Sequence, residues 1–369
     1  MLLAEWESIA ELPTGLEGFA SVSIPKMGIF IFGGANENME EQNDLFQYSP
    51  TNNAWTKLTT SEAPMGRSCC GMSFHEKDGK TCIYIFGGLN SGVGWLGDIW
   101  KGQLDQGKVT WTQIEVDPVD FTPRDKVATV RGENECFIIG GFGPVDCAES
   151  EDEQDADDEI KREKEAQEAL QLGWFDDVVR LDFTTDKVEI LAFKGIEGAA
   201  AKAASGGFMN KKGEIILFGG KGTTGRTNEM FIYDVENKMW ECEKPGGFLP
   251  APRSFFASAS VDNKFYVFGG QGKNDELLGG LHLFTNGKWS KIESNGKSLN
   301  PRRQAKMEFY DGVLYLFGGT DKLDTEQGIA SVLKECWKAE FVEGEAEDGN
   351  ALLSAIGLKR RVDATEEQI

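Results

Sequence analysis

Gly220, Gly222 and Gly225 directly follow the apolar run Ile216-Leu217-Phe218 in this 369-residue chain. Their G-x-G-x-x-G spacing is that of turns that bring a backbone against a pyrophosphate, provided a helix starts there and offers its N–H groups. The next residues, Arg226-Thr227-Asn228-Glu229-Met230-Phe231-Ile232-Tyr233, read as a strand, so nucleotide binding is not expected. The two histidines are too few for a multi-histidine metal centre, and they fall in different repeats: His75 in an expected a–b turn, His282 inside an expected strand. Seven cysteines, an odd number with no C-x-x-C pair, suit reduced thiols, and adjacent Cys69 and Cys70 should face opposite ways at a strand start. There is no G-x-S-x-G elbow and no Walker loop, and with 61 acidic residues chance carboxylate pairs are plentiful. No catalytic residue, cofactor or metal ligand is therefore assigned, and the chain is expected not to be an enzyme.

Charge narrows the partners. Asp and Glu outnumber Lys and Arg 61 to 38, a formal net charge of −23. That argues against a surface for nucleic acid or anionic lipid and for a neutral or basic protein partner. No run reaches the roughly eighteen apolar residues of a membrane span, and the start, Met1-Leu2-Leu3-Ala4-Glu5-Trp6, has no basic leader. A cytoplasmic chain, monomeric by itself, is the expectation.

The elements come from a repeat. An apolar run ending in Gly-Gly occurs six times, at Gly33, Gly87, Gly140, Gly219, Gly269 and Gly318, with steps of 54, 53, 79, 50 and 49. Removing an insertion of about 27 residues from the long step restores a period near 50. A Trp follows in four units (Trp55, Trp111, Trp240, Trp289), and twelve or thirteen residues after each stands an Arg (Arg67, Arg124, Arg253, Arg302). Short β-rich runs lie between, so each unit reads as a four-stranded meander, a to d. One such sheet cannot bury two apolar faces, whereas six packed around an axis can.

These residues resemble the kelch family of β-propellers over nearly the whole chain. The resemblance implies an all-β, six-bladed β-propeller spanning residues 1–342. Ring closure can be read as well. After Gly318-Gly319, Trp337 aligns with Trp100 as a strand-c residue, leaving the last blade without a fourth strand, and Trp6-Glu7-Ser8-Ile9 resembles Trp289-Ser290-Lys291-Ile292. The N-terminus is therefore expected to complete blade six. Blade three has Val188-Glu189-Ile190-Leu191 where its Trp should be, and blades one and four lack the Arg, so looser packing is expected there.

The 146–172 segment is an acidic insertion in the b–c loop of blade three. Residues 146–168 hold twelve acids and three bases, with a partly helical stretch expected at 157–172 and strand c resuming at Trp174. Residues 343–369 read as a polar tail with a short helix at 351–358 packed on the ring.

In an antiparallel blade the d–a and b–c connections emerge on one face, which is the expected binding face. Two residues past the Arg landmarks, where kelch domains present contacts to the central mouth, stand Phe19, Cys69, Lys126, Ser205, Phe255 and Gln304. Phe19, Lys126, Phe255, Gln304 and the loop residues Trp95 and Arg226 are the expected partner contacts. Arg67, Arg124, Arg253 and Arg302, with Trp6, Trp55, Trp111, Trp240 and Trp289, are expected to be structural. The resemblance implies a non-enzymatic protein-binding scaffold, with cytoskeletal, ciliary or trafficking roles all compatible. The rival is a sugar-handling enzyme like the kelch-type sialic acid mutarotases, which carry an extension in a comparable place.

Overall fold

The computed structural model describes residues 2–145, 171–324 and 329–343. The insertion's 146–170 and the tail's 344–369 lie outside the described residues, with the helix expected at 351–358 and all but the end of that expected at 157–172, where Leu172 instead begins a strand. The rest is six four-stranded antiparallel blades. Blade one is Ala20–Ile24, Gly28–Phe32, Leu45–Ser49 and Ala54–Lys57; blade two is Gly71–Lys77, Lys80–Asn90, Gly94–Asp105 and Lys108–Ile114. Blade three is Ala128–Arg131, Glu135–Ile139, Val178–Asp182 and Val188–Leu191; blade four is Gly206–Met209, Glu214–Phe218, Met230–Asp234 and Met239–Glu243. Blade five is Ala257–Val261, Lys264–Phe268, Leu281–Thr285 and Lys288–Ser294. Blade six is Lys306–Tyr310, Val313–Phe317 and Cys336–Glu343, completed by Leu2–Ile9. Each strand a touches the strand a of both neighbours, from blade one round to blade six and back, so the ring is closed with strand a innermost.

The closing strand pairs antiparallel with Cys336–Glu343 from Leu2↔Glu343 to Ile9↔Cys336. This is the latch the sequence indicated, with Trp337 on strand c. Strand b, buried on both faces, is apolar at every position in Ile29–Phe32, Ile83–Phe86 and Leu314–Phe317.

Strand-d indoles fill the wedges between blades. Trp111 packs on Phe32 at 5.6 Å, Trp289 on Phe218 at 4.8 Å, Trp6 on Phe268 at 5.9 Å and Trp55 on Phe317 at 5.5 Å. Each partner is the residue before Gly-Gly one blade back, which explains why the two landmarks recur together. Trp240 shares its cluster with Ile139 in the same relation. Val188 replaces the Trp in blade three, yet that wedge is filled: Phe183, from just past strand c, is buried and lies 4.7 Å from Tyr84 and 5.0 Å from His75. The expected looseness is corrected there.

At the end of strand d or past it the chain runs along the next blade's outer edge. Thr59–Ser61 pairs parallel with blade two, Lys194–Gly195 with blade four, Gly246–Gly247 with blade five and Glu293-Ser294 with the N-terminal strand of blade six. At the junction of blades six and one, side chains serve instead: Asn53 Oδ1 accepts from the Ala10 N–H and the Trp55 indole donates to the Ala10 carbonyl.

Three local readings change. His75 lies inside strand a, paired with Cys82, and not in the turn. Trp174 belongs to a two-stranded stalk, Phe142–Pro144 against Leu172–Trp174, that carries the insertion, so strand c starts at Val178. The Gly220 motif folds as the small ribbon Lys221-Gly222 against Gly225-Arg226, followed by a strand.

Candidate functional site

The loop-face corners begin at Gly-Gly. Both glycines have positive φ in all six blades. A Cβ on Gly33 would stand 2.5 Å from the Arg67 carbonyl oxygen, which accepts from the Gly34 N–H at 2.8 Å, so blade two can approach blade one only across a bare backbone. The Arg side chain then ties its own blade. Arg67 donates to the carbonyls of Met65 and Gly87, both at 3.0 Å, and grips Asp98 bidentately at 2.5 and 2.9 Å. Arg124 makes the same two carbonyl contacts, with Thr122 and Gly140, and Arg302 with Asn300 and Gly318, but each holds its acid, Asp177 and Glu335, through a single hydrogen bond.

Arg253 keeps the two carbonyl bonds, to Ala251 and Gly269, but Gly280 occupies the acid's position, and burial lowers its pKa to about 10. Arg67, Arg124 and Arg302 are at most 1% exposed and Arg253 is 2%. Lys202 substitutes in blade four, its ammonium on the Gly198 and Ala199 carbonyls at 3.1 Å, and Leu16 in blade one.

One residue in each d–a corner is left-handed on its way into strand a: Gly18, Cys69, Lys126, Ala204, Phe255 and Gln304, with φ from 53° to 62°. Each N–H donates to the carbonyl of the equivalent residue one blade back. Cys69 reaches Gly18 at 2.6 Å, Lys126 Cys69 at 2.8 Å, Ala204 Lys126 at 2.8 Å, Phe255 Ala204 at 3.0 Å, Gln304 Phe255 at 2.9 Å and Gly18 Gln304 at 3.2 Å. Six backbone hydrogen bonds thus run head to tail around the axis. Left-handed conformations cost a non-glycine residue roughly 1–2 kcal/mol, which these bonds and the packing around them offset.

At the ring lies a cavity of about 60 Å³ lined by Cys69, Lys126, Phe255, Gln304 and Lys306 among others. Inside the strands a is a channel of about 590 Å³, lined by hydroxyls such as Ser21, Ser23 and Ser258, with Glu308. Burial raises the Glu308 pKa although Ser21 Oγ donates to it at 2.6 Å. Burial pushes the Cys69 thiol up to about 12, so the mouth presents no reactive thiolate.

The expected contacts fare differently. Lys126, Phe255 and Gln304 are half-buried members of the ring. Phe19 is fully buried and cannot meet a partner there; the ring position belongs to Gly18. Ala204, not Ser205, is the blade-four member, and Ser254–Phe256 forms the corner before the strand that starts at Ala257. Counting from Arg misplaces the ring in blades one and four, which lack that residue.

Lys126 is paired with the fully buried Asp125, whose pKa burial raises despite that cation. Arg226 is 7% exposed and committed to Ser254, Gly272 and Asp275, so it braces the loops of blades four and five. Trp95 is half-buried on the blade-two b–c extension, edge-on to Phe142 at 6.2 Å.

Sequence reading missed the exposed apolar side chains. Met39, Met65, Val93, Val119, Leu172, Phe248 and Leu249 are seven of the eight large ones exposed among the described residues, and all seven sit in d–a or b–c loops. Lone apolar residues in polar loops are the signal that was available. Among the described residues no group of three or more His, Cys, Asp and Glu is placed to hold a metal, and no helix is long and apolar enough to cross a membrane.

Comparison with known proteins agrees with this architecture. Rat host cell factor 1 is 24% identical over 279 residues, covering 73% of this chain but 13% of its own length. Mouse kelch domain-containing protein 1 is 25% identical over 328 residues, 84% of this chain and 65% of the relative. N-acetylneuraminate epimerase of Pasteurella multocida (strain Pm70) is 31% identical over only 123 residues, 32% of this chain. The chain thus spans about an eighth of host cell factor 1 and about two thirds of kelch domain-containing protein 1. The KLHDC2/KLHL20/DRC7 kelch-repeats domain matches residues 4–156 and 166–358. With six Gly-Gly corners closing one ring and that match running along nearly its full length, the chain belongs to the kelch-repeat family.

Proposed function

We propose that this chain is a non-catalytic protein-binding module that engages its partner on the d–a and b–c loop face. One observation carries the reading: seven of the eight large exposed apolar side chains among the described residues lie in the d–a and b–c loops, five of them, Met39, Met65, Val93, Val119 and Leu172, away from the outer-edge tail that leads into Phe248 and Leu249. Apolar groups concentrated on one surface and rimmed by polar loops are the usual mark of a protein-interaction site. The family supports it, because its relatives include mouse Rab9 effector protein with kelch motifs, 31% identical over 110 residues. The epimerase likeness covers a third of the chain, and the loop arginine Arg226 is already bound within the protein.

A photo-crosslinking residue placed at Phe255 or Val119 tests the face against one at Lys108, in a c–d hairpin on the opposite side. Protein adducts at Phe255 or Val119 and not at Lys108 are expected. Adducts confined to Lys108 would refute the assignment.

A further inference from the structure

The loop face is electrically divided. On blades one to three its described loops, 10–19, 33–44, 58–70, 87–98, 115–127, 140–145 and 171–177, carry fourteen Asp and Glu against three basic residues. All three bases are spent internally: Arg67 on Asp98, Arg124 on Asp177 and Lys126 on Asp125. The corresponding described loops of blades four to six, 192–205, 219–229, 244–256, 269–280, 293–305, 318–322 and 331–335, carry seven acids against twelve bases. Glu37, Glu62 and Glu115 of the acidic half are exposed and, among the described residues, form no ion pair. Met39 at 60%, Val93 at 63% and Val119 at 73% exposure lie among these carboxylates.

We propose that the loops of blades one to three dock a basic amphipathic segment of a partner protein, with Lys or Arg side chains over the carboxylates and apolar side chains on Met39, Val93 and Val119. The proposal rests on the loop-face reading and narrows it to one sector and one partner chemistry. Exposed carboxylates without a cation partner among the described residues, beside exposed apolar groups, favour a ligand that carries both features. A purely basic segment leaves the apolar side chains in water, and an acidic one is repelled. The charge step across the axis also fixes direction, since the basic end of a bound segment is repelled from blades four to six.

The test is selection of random twelve-residue peptides from a phage library on the full chain, followed by hydrogen-exchange footprinting with the best peptide. Peptides rich in Lys or Arg interleaved with Leu, Met or Phe are expected, protecting loops 33–44, 58–70 and 115–127. The triple variant Glu37→Lys, Glu62→Lys, Glu115→Lys is expected to weaken that peptide by roughly tenfold or more, mainly through association rate, and the loss shrinks in high salt. Asp105→Lys, Glu133→Lys and Glu236→Lys together, the same charge change on the hairpin face, serve as the control and should leave binding within about twofold, because exposed charges beyond a Debye length are screened.

Peptides without basic residues, protection over the loops of blades four to six, equal losses in the two triple variants, or no enrichment each overturn the proposal. Protection confined to the hairpin face or outer wall overturns the loop-face reading as well.

Discussion

Removing the N-terminal strand should open the ring, and the cost is set by the side chains that strand buries. Leu2 is 3% exposed, Trp6 8% and Leu12 2%, and eight residue pairs align Leu2–Ile9 on strand c of blade six. Trp6→Ala removes the indole from Phe268 and leaves a cavity in a cluster that includes Leu316 and Trp337, which costs about 4 kcal/mol. At about 2.1 cal/mol/K per residue the unfolding entropy of a ring of this size is about 0.7 kcal/mol/K, so Tm should fall by about 6 °C. Deleting residues 2–12 adds the two leucines, for a total of about 8 kcal/mol, comparable with the whole stability of a typical fold.

The deletion also bares the edge of Cys336–Glu343 to strand addition. Calorimetry on the intact chain, Trp6→Ala and the truncated chain reads both steps. A synthetic peptide of residues 1–12 added in trans should restore much of the loss by strand addition. An unchanged melting temperature in the truncated chain, or a peptide without effect on a destabilised one, would refute the latch.

The corners and the channel carry further expected outcomes. Arg67→Met should cost about 3–5 kcal/mol, because the buried part of Asp98 loses its cation, whereas Arg253→Met, which strands no carboxylate, should cost clearly less in urea unfolding. Equal costs would show that the acid partner is irrelevant. Glu308 has its pKa raised by burial, so folding favours its protonated form and the group's penalty grows as pH rises above the unfolded value near 4.3. Glu308→Gln should therefore be more stable than the parent at pH 7 and indistinguishable from it near pH 3; a pH-independent difference would contradict the assignment. Lys126→Gln should destabilise by about 3 kcal/mol by leaving Asp125 buried without its counter-ion. Phe255→Asn, whose φ of 55° suits asparagine, should leave stability within about 0.5 kcal/mol while weakening partner capture. The reverse pattern in thermal melts would exchange their roles.

Architecture was legible where one residue type does one job. Gly-Gly is required where a neighbouring carbonyl comes as close as 2.5 Å, as at Gly33, and a strand-d indole fills the wedge against the residue before Gly-Gly one blade back in five of the six blades, as Trp111 does against Phe32, so both left a period in the sequence. The mouth was legible only in part. Its ring is made by backbone, and Gly18, Cys69, Lys126, Ala204, Phe255 and Gln304 share a conformation and no side-chain property. Counting from Arg fails in blade one, where Leu16 holds the landmark, and it picks buried Phe19 in place of Gly18. The roles of Arg226 and Lys126 were hidden for another reason: Asp275 lies on another blade and Asp125 is the neighbouring residue, and no spacing rule says which cation is already taken.

The rim tails have one more consequence. Edges of blades two, four, five and six are covered by the preceding chain, and that of blade one is bolted through Asn53 and Trp55. Among the described residues Val188–Leu191 of blade three has no such cover, and Ile190 there is 43% exposed. When the protein is concentrated or partly melted, that margin is where two copies would first zip together edge to edge, so an added lysine at Ile190 is the smallest change that would keep stored protein dispersed.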